Sequence, residues 1–218
     1  MDYLCRMELI HPLVQAYAES ISSPEDALLK EINEYTLRNH SEYRMLSGHL
    51  QGKLLEMISC MIRPRRILEI GTFTGYSAIC LAKGLTDDGQ LHTIELREAD
   101  AAVAARFFSQ SSYGSKIILH TGNARDIIPV LQEEWDLVFI DADKTGYTEY
   151  FNLVLPQLKQ NGFILADNIF FHGQVLEETV PNKNAKAIKS FNEYIAARND
   201  IEKLAVTLRD GLYLIKKR

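Results

Sequence analysis

The sequence predicts an α/β fold: a doubly wound, seven-stranded sheet, mostly parallel, with a C-terminal antiparallel strand and additional N-terminal helices. Three observations predict it. Short β-type runs alternate with helical patterns from Arg66 onward, a turn bounded by Gly71 and Gly75 follows the first run, and Arg209-Asp210-Gly211 separates two short runs near the end.

The N-terminal part carries helical patterns over roughly 8–20, 24–39 and 49–62. In the second, Ser23 is the expected N-cap, Pro24 takes the first helical position and Asp26 sits in the first turn, while Leu28, Ile32 and Tyr35 share one face. Strands are then expected at 67–70, 91–95, 117–121, 137–141 and 163–167. Helices are expected between them at 76–85, 98–112, 124–134 and 147–159, with a further one at 185–197. Each crossover returns the chain to the same edge to begin the next strand, so the strands run parallel with helices on both faces. Their apolar character throughout fits strands covered on both sides. The runs 204–208 and 212–215 flank an Asp-Gly turn, so an antiparallel strand closes the sheet. The arrangement is Rossmann-like. One domain is expected over 1–218, with a helical cap at 1–63 on a core at 64–218.

At 218 residues, 46% hydrophobic and 24% charged, the chain can bury one sizeable core. Residues 1–20 carry Asp2, Arg6, Glu8 and His11 where a signal sequence needs an unbroken apolar segment, and no apolar run is long enough to span a bilayer. A soluble, cytoplasmic protein without membrane contact is expected. The net charge of −5 argues against broad contact with a polyanion, because nucleic acids are bound mainly through lysine and arginine. Cys5, Cys60 and Cys80 lack metal-like spacing, and the last two lie in helical patterns where a thiol packs as a small hydrophobe. His11, His40, His49, His92 and His120 show no ligand spacing either. Lys183, Lys186 and Lys189 are expected on a solvated face opposite Ile188, Phe191 and Ile195.

The first strand runs into Glu69-Ile70-Gly71-Thr72-Phe73-Thr74-Gly75-Tyr76-Ser77. At the carboxyl end of the first strand of an open α/β sheet, that turn is where a nucleotide-like ligand docks. A dinucleotide fingerprint needs GxGxxG, whereas this turn reads GxxxG with Phe73 in the middle glycine's place. Glu69 sets a carboxylate beside the pocket, and Glu95 ends the second strand, where an acidic side chain takes ribose hydroxyls. Two carboxylates and no phosphate turn favour a nucleoside bearing a positive group. S-adenosylmethionine fits that description.

The fourth strand ends in Asp141-Ala142-Asp143-Lys144 and the fifth in Asp167-Asn168. Asp141, Asp167 and Asn168 offer only oxygen, the chemistry of Mg²⁺, Mn²⁺ or Ca²⁺ and not of zinc. Lys144 is close enough to Asp141 to meet a hydroxyl beside such an ion. Desolvated and near a dication, its amine gives up its proton more readily and can serve as a base; a charged form would orient a phenolate.

At this point a family is recognisable. From Met45 to the C-terminus the chain resembles the cation-dependent O-methyltransferases, the group of catechol O-methyltransferase, caffeoyl-CoA O-methyltransferase and their bacterial relatives. The resemblance rests on the run Glu69 to Ser77, on Phe139-Ile140-Asp141-Ala142-Asp143-Lys144 with Tyr147, on Asp167-Asn168 with His172-Gly173 and Val175, and on Asp210-Gly211. It implies that Asp141, Asp167 and Asn168 hold the metal. It also implies that Lys144, beside Asp141, deprotonates the acceptor. Cofactor contacts carry over to Ser47, Glu69, Gly71, Ser77, Glu95, Ala124 and Asp143, and a homodimer is implied. The expected reaction is methyl transfer from S-adenosylmethionine, with Mg²⁺ or a similar ion, to one of two adjacent oxygens of a small aromatic acceptor such as a catechol or caffeoyl ester. Some relatives act by the same chemistry on a hydroxylated uridine in tRNA, against which the acidic charge weighs.

Three departures stand out. Asn123 replaces a common Asp and keeps its hydrogen-bonding shape, Phe171 replaces a Trp and keeps an aromatic wall, and Arg209 replaces a small residue and is expected to tune the acceptor pocket. His172 is expected near the acceptor mouth. The rival readings are a nicotinamide oxidoreductase, disfavoured by the GxxxG turn, and a non-enzymatic cofactor-binding protein, disfavoured by the intact Lys144 and ligand set.

Overall fold

The computed structural model describes residues 9–180 and 182–218; Cys5 and the charges at Asp2, Arg6 and Glu8 lie outside the described residues. Strands β1 (Arg66–Ile70), β2 (Gln90–Glu95), β3 (Ile117–Thr121), β4 (Trp135–Ile140), β5 (Leu158–Asp167), β6 (Ile201–Val206) and β7 (Leu212–Lys217) form one sheet in the order β3-β2-β1-β4-β5-β7-β6. The first five pair in parallel, and β7 runs against both of its neighbours. The order reverses between β1 and β4, so the carboxyl ends of β1, β2, β4 and β5 border the crevice where such sheets bind ligands.

The helices are α1 (Pro12–Ser20), α2 (Ala27–Asn39), α3 (Gly48–Ile62), α4 (Tyr76–Ala82), α5 (Glu98–Phe108), α6 (Ala124–Ile127), α7 (Tyr147–Val154) and α8 (Lys183–Ala197). One core packs Ile32, Leu55, Ile79 and Phe107 against Ile67 and Leu137; the other packs Tyr147, Phe151, Phe191 and Ile195 against Leu68 and Val138. Consecutive strand residues thus enter opposite cores, as a doubly covered sheet requires. Burial of each such side chain contributes roughly 1.5–3 kcal/mol. On α8 the apolar residues Ile188, Phe191 and Ile195 are buried and Lys183 and Lys186 are exposed, as the periodicity predicts, whereas Lys189 is half-buried. Among the described residues no helix is long and apolar enough to cross a membrane.

Several boundaries differ from expectation, each for a local reason. The N-cap of α2 is Asp26, whose carboxylate accepts from Leu29 N at 2.9 Å, while Ser23 lies outside the helix and its carbonyl meets His49 Nε2 at 2.7 Å. The helix expected over 124–134 stops at Ile127 and tightens into a 3₁₀ turn, Ile128–Val130, because Pro129 cannot donate to the helical ladder. The helix expected to reach 159 stops at Val154, and Leu158 already pairs with Trp135 of β4. The strand expected at 204–208 lies at Ile201–Val206. Arg209 and Asp210 occupy the following turn, closed by Gly211 N donating to Leu208 O at 2.8 Å. Cys80 is buried as expected, but Cys60 is exposed, on the solvent side of α3.

Candidate active site

β1 ends by carrying Glu69 into the core, and the carboxylate there is fully buried. Burial pushes it up to about 8, against the pull of the Ser77 and Thr93 hydroxyls. Thr93 donates to Glu69 Oε2 at 2.5 Å, which leaves Thr72 as the donor in its own 2.5 Å contact with Thr93. Glu69 Oε1 has no hydrogen-bond partner. An unpartnered buried carboxylate oxygen is suited to a donor, best of all a cationic one.

The turn after β1 depends on its first glycine. Gly71 has φ +100°, and a Cβ added there would stand 2.0 Å from the carbonyl oxygen of Asp141. The tips of β1 and β4 therefore touch directly. Phe73 follows with φ +50°, and its amide donates to Glu95 Oε2 at 2.8 Å, while Arg97 N donates to Glu95 Oε1 at 2.9 Å. Two backbone amides thus fix Glu95 beside the turn, leaving each oxygen a further lone pair for a ribose hydroxyl.

Ser47, at the start of α3, and Ser77 and Ala124, opening α4 and α6, are all buried. Asn123 acts as the N-cap of α6, its Oδ1 accepting from Arg125 N at 3.0 Å, so its side chain has a structural use. The carboxylate of Asp143 is engaged by the hydroxyl of Tyr150, by Thr145 at 3.0 Å and by Arg125 at 3.3 Å.

At the tips of β4 and β5 the acidic groups converge. Lys144 Nζ donates to Asp141 Oδ1 at 2.9 Å and to the Tyr147 hydroxyl at 2.8 Å, and that hydroxyl lies 3.0 Å from the Asp167 carbonyl oxygen. Burial works against the lysine's charge, but Asp141, Tyr147 and Asp167 outweigh it and hold the ammonium above its ordinary range. Burial and then the charge of Asp141 raise Asp167 to about 6; Arg209, Lys144 and Gln51 pull it back. Asn168 follows with φ +57°, its amide donating to Asp167 Oδ1 at 2.8 Å. Among the described residues no three His, Cys, Asp or Glu side chains gather into a metal centre, so a cation here would rest on Asp141, Asp167 and the amide oxygen of Asn168. That donor set is all oxygen and carries two carboxylates that repel one another, which fits a hard divalent ion.

Two residues with roles in this site escaped the sequence reading, Thr93 and Gln51, and a third, Tyr147, entered it only as part of the family motif and without a role. Gln51 and Thr93 had a usable signal, because each is a polar residue in line with apolar ones, Gln51 with Leu55 and Ile58 on α3 and Thr93 within β2. Tyr147 is buried and positions Lys144 through its hydroxyl. Nothing in its local spacing distinguishes it from a core aromatic.

A glycine turn over an unpartnered glutamate, with a second glutamate clamped at the next strand tip, suits a nucleoside with a cationic arm, the kind of ligand that a class I S-adenosylmethionine-dependent methyltransferase takes. A family model described as O-methyltransferase matches residues 19–218. The chain belongs to that family and is an S-adenosylmethionine-dependent O-methyltransferase. It is 36% identical over 156 residues to a catechol O-methyltransferase of Niastella koreensis, covering 70% of this chain and 71% of that one. A probable caffeoyl-CoA O-methyltransferase 2 of Dictyostelium discoideum is 29% identical over 210 residues, 92% of this chain and 90% of the other. Among solved structures, the O-methyltransferase TomG of Streptomyces achromogenes, in complex with SAM, superposes with a TM-score of 0.85 at 31% identity, covering 94% of this chain and 96% of that chain. The SAH-bound methyltransferase PaMTH1 of Podospora anserina gives 0.87 at 30% identity and 94% of both chains. The nicotinamide and non-enzymatic readings are thereby set aside.

Proposed function

We propose that the protein methylates one of two adjacent oxygens of a small aromatic acceptor, a catechol or a caffeoyl-type ester, with a Mg²⁺-like ion held by Asp141, Asp167 and Asn168. The observation that carries the metal assignment is the placing of two carboxylates at neighbouring strand tips, Asp141 joined through Lys144 and Tyr147 to the backbone of Asp167, with Asp167 raised first by burial and then by the charge of Asp141. When bound, the ion supplies Lewis acidity that lowers the pKa of an acceptor hydroxyl; a drop of ~2 units corresponds to about 3 kcal/mol. The names of the Niastella and Dictyostelium relatives support the acceptor class.

The chain's own residues do the rest. Glu69 offers its free oxygen to a cationic arm of the cofactor and Glu95 takes the ribose, so the methyl donor is held at the tip of β1, against which Asp141 packs. Lys144, tethered by Asp141 and Tyr147, stands where its Nζ can take the acceptor's proton once the surrounding negative charge is offset and the ammonium has released its own proton to solvent, and otherwise steadies the ionised oxygen as the charged form. Alignment of nucleophile, methyl carbon and sulfur supplies a further large share of the rate. The exposed apolar residues Leu13, Val14 and Tyr17 on α1, and Ile21 at its C-terminal end, support the homodimer as part of this reading.

The test is transfer of labelled methyl to catechols, caffeoyl esters and hypomodified tRNA, with and without Mg²⁺. Methylation of the aromatic diols that stops with EDTA and returns with Mg²⁺ is the expected result. Turnover that survives both thorough chelation and Asp141→Ala removes the metal from the reading, and methylation of tRNA alone moves the acceptor to RNA.

A further inference from the structure

We infer that Gln51 and Arg209 form a positioning relay that sets the carboxylate of Asp167 for the cation, an inference that rests on the metal reading above. Arg209 Nη1 donates to Gln51 Oε1 at 3.1 Å and also to the backbone carbonyl of Ser47. Gln51 Nε2 in turn donates to Asp167 Oδ2 at 2.6 Å. Gln51 and Asp167 are each 1% exposed, so water does not compete for these contacts.

The chemistry fixes the direction of the relay. A guanidinium has only donors, so it must meet the oxygen of the Gln51 amide, and the amino group is left facing Asp167. Without Arg209 the two ends of the amide are nearly equal in shape, and the flipped arrangement would set an oxygen against a carboxylate. Asp167 Oδ1 already accepts from Asn168 N at 2.8 Å. With one donor on each oxygen the plane of the carboxylate is fixed, and each oxygen keeps a lone pair for an ion. Such outer contacts orient a ligand and tune its affinity for metal.

The relay joins parts of the chain far apart in sequence, and the turn that carries Arg209 does more than hold Gln51. Next to it, Asp210 accepts from the amide of His172 at 2.5 Å through Oδ1, and its carbonyl accepts from Phe170 N at 2.9 Å. Gly211 O accepts from Ile169 N at 3.2 Å. One turn therefore braces the loop that follows Asp167 and, through Arg209, the start of α3 at Ser47. Arg209 itself has φ +48°, a conformation that disfavours any residue with a Cβ, so its contacts offset a backbone cost that glycine would avoid. The departure at Arg209 thus acts on the metal ligand through Gln51.

The experiment titrates purified full-length protein with Mn²⁺ and reads free ion by electron paramagnetic resonance. The forms compared are wild type, Asp141→Ala, Gln51→Met, Arg209→Met and Arg209→Lys, each also melted without added metal. Gln51→Met keeps the side-chain volume but leaves Asp167 Oδ2 and Arg209 without their partner, so its melting temperature is expected to fall, and its Mn²⁺ affinity is read well below that temperature, where the protein is folded. Its Mn²⁺ affinity, and that of Arg209→Met, are expected to fall about 10–100-fold, the range for loss of an outer-shell partner. Arg209→Lys, still a pure donor, is expected to recover part of the loss. If Gln51→Met and Arg209→Met bind Mn²⁺ as tightly as wild type, the relay is wrong while the metal reading stands. If wild type binds none, or Asp141→Ala binds as well as wild type, the metal reading fails and the relay with it.

Discussion

Thr36 Oγ1 on α2 and Thr74 Oγ1 in the turn after β1 lie 2.9 Å apart, both buried. The Thr36 proton goes to Ile32 O at 2.7 Å, so Thr74 is the donor across the gap. Nearby, the His40 ring packs edge-on against Phe73 with centroids 4.6 Å apart, and its Nε2 lies 3.1 Å from Asp100 Oδ1. The N-terminal helices are therefore fastened to the cofactor turn by specific polar contacts as well as by apolar packing. Thr36→Val keeps the shape of the side chain and leaves the Thr74 hydroxyl without its acceptor. The expected cost is about 1–3 kcal/mol in urea unfolding, with weaker S-adenosylmethionine binding by calorimetry, and Thr36→Ser restores both. An unchanged unfolding midpoint in Thr36→Val would show that the contact contributes nothing.

Glu69 gives a pH prediction with a definite sign. Its carboxyl is raised from 4.5 to about 8 by burial, so between those values the folded chain holds a proton that the unfolded chain releases. Stability contributed by that proton is present at the acid end of the window and is lost as pH rises through it. Glu69→Gln carries no such proton. Thermal melts of the cofactor-free protein across this range are expected to decline more steeply for wild type than for Glu69→Gln, and parallel curves would refute the assignment.

The alternation of strand and helix was legible because it is written locally: period-2 and period-3.6 patterns, an Asp-Gly turn and a GxxxG turn need only neighbours in sequence to be seen. The same locality exposed Glu69, Glu95, Asp141 and Asp167, since each ends or nearly ends a strand at the carboxyl edge. Helix ends were less legible, as at α6, where the helical pattern runs past Pro129 although the chain does not. The connection of Gln51 and Arg209 to Asp167 was not legible for a different reason. Gln51 lies 116 residues from Asp167 and Arg209 lies 158 residues from Gln51, and only the closed sheet brings them together.

Gly71 is the position where substitution meets backbone. With φ +100° and a prospective Cβ 2.0 Å from Asp141 O, Gly71→Ala forces the tips of β1 and β4 apart. The expected result is loss of measurable S-adenosylmethionine binding by calorimetry together with a lower melting temperature. A variant that binds the cofactor normally would mean that the two tips have room to separate.

The role of Lys144 turns on whether the site needs a transferable proton or only a positive charge. Asp141 and Tyr147 hold its ammonium in place, and the acidic surroundings favour the charged form. Lys144→Met is expected to lower kcat about 10²–10⁴-fold, the range for loss of a positioned proton-transfer group, with a much smaller change in KM for S-adenosylmethionine. Lys144→Arg separates the two roles, because a guanidinium keeps the charge and does not release a proton in a protein. If proton transfer is required, Lys144→Arg is as impaired as Lys144→Met, and raising the pH lets solvent hydroxide recover part of the rate in both. Recovery of kcat in Lys144→Arg at neutral pH would instead assign Lys144 to steadying an acceptor that ionises without it.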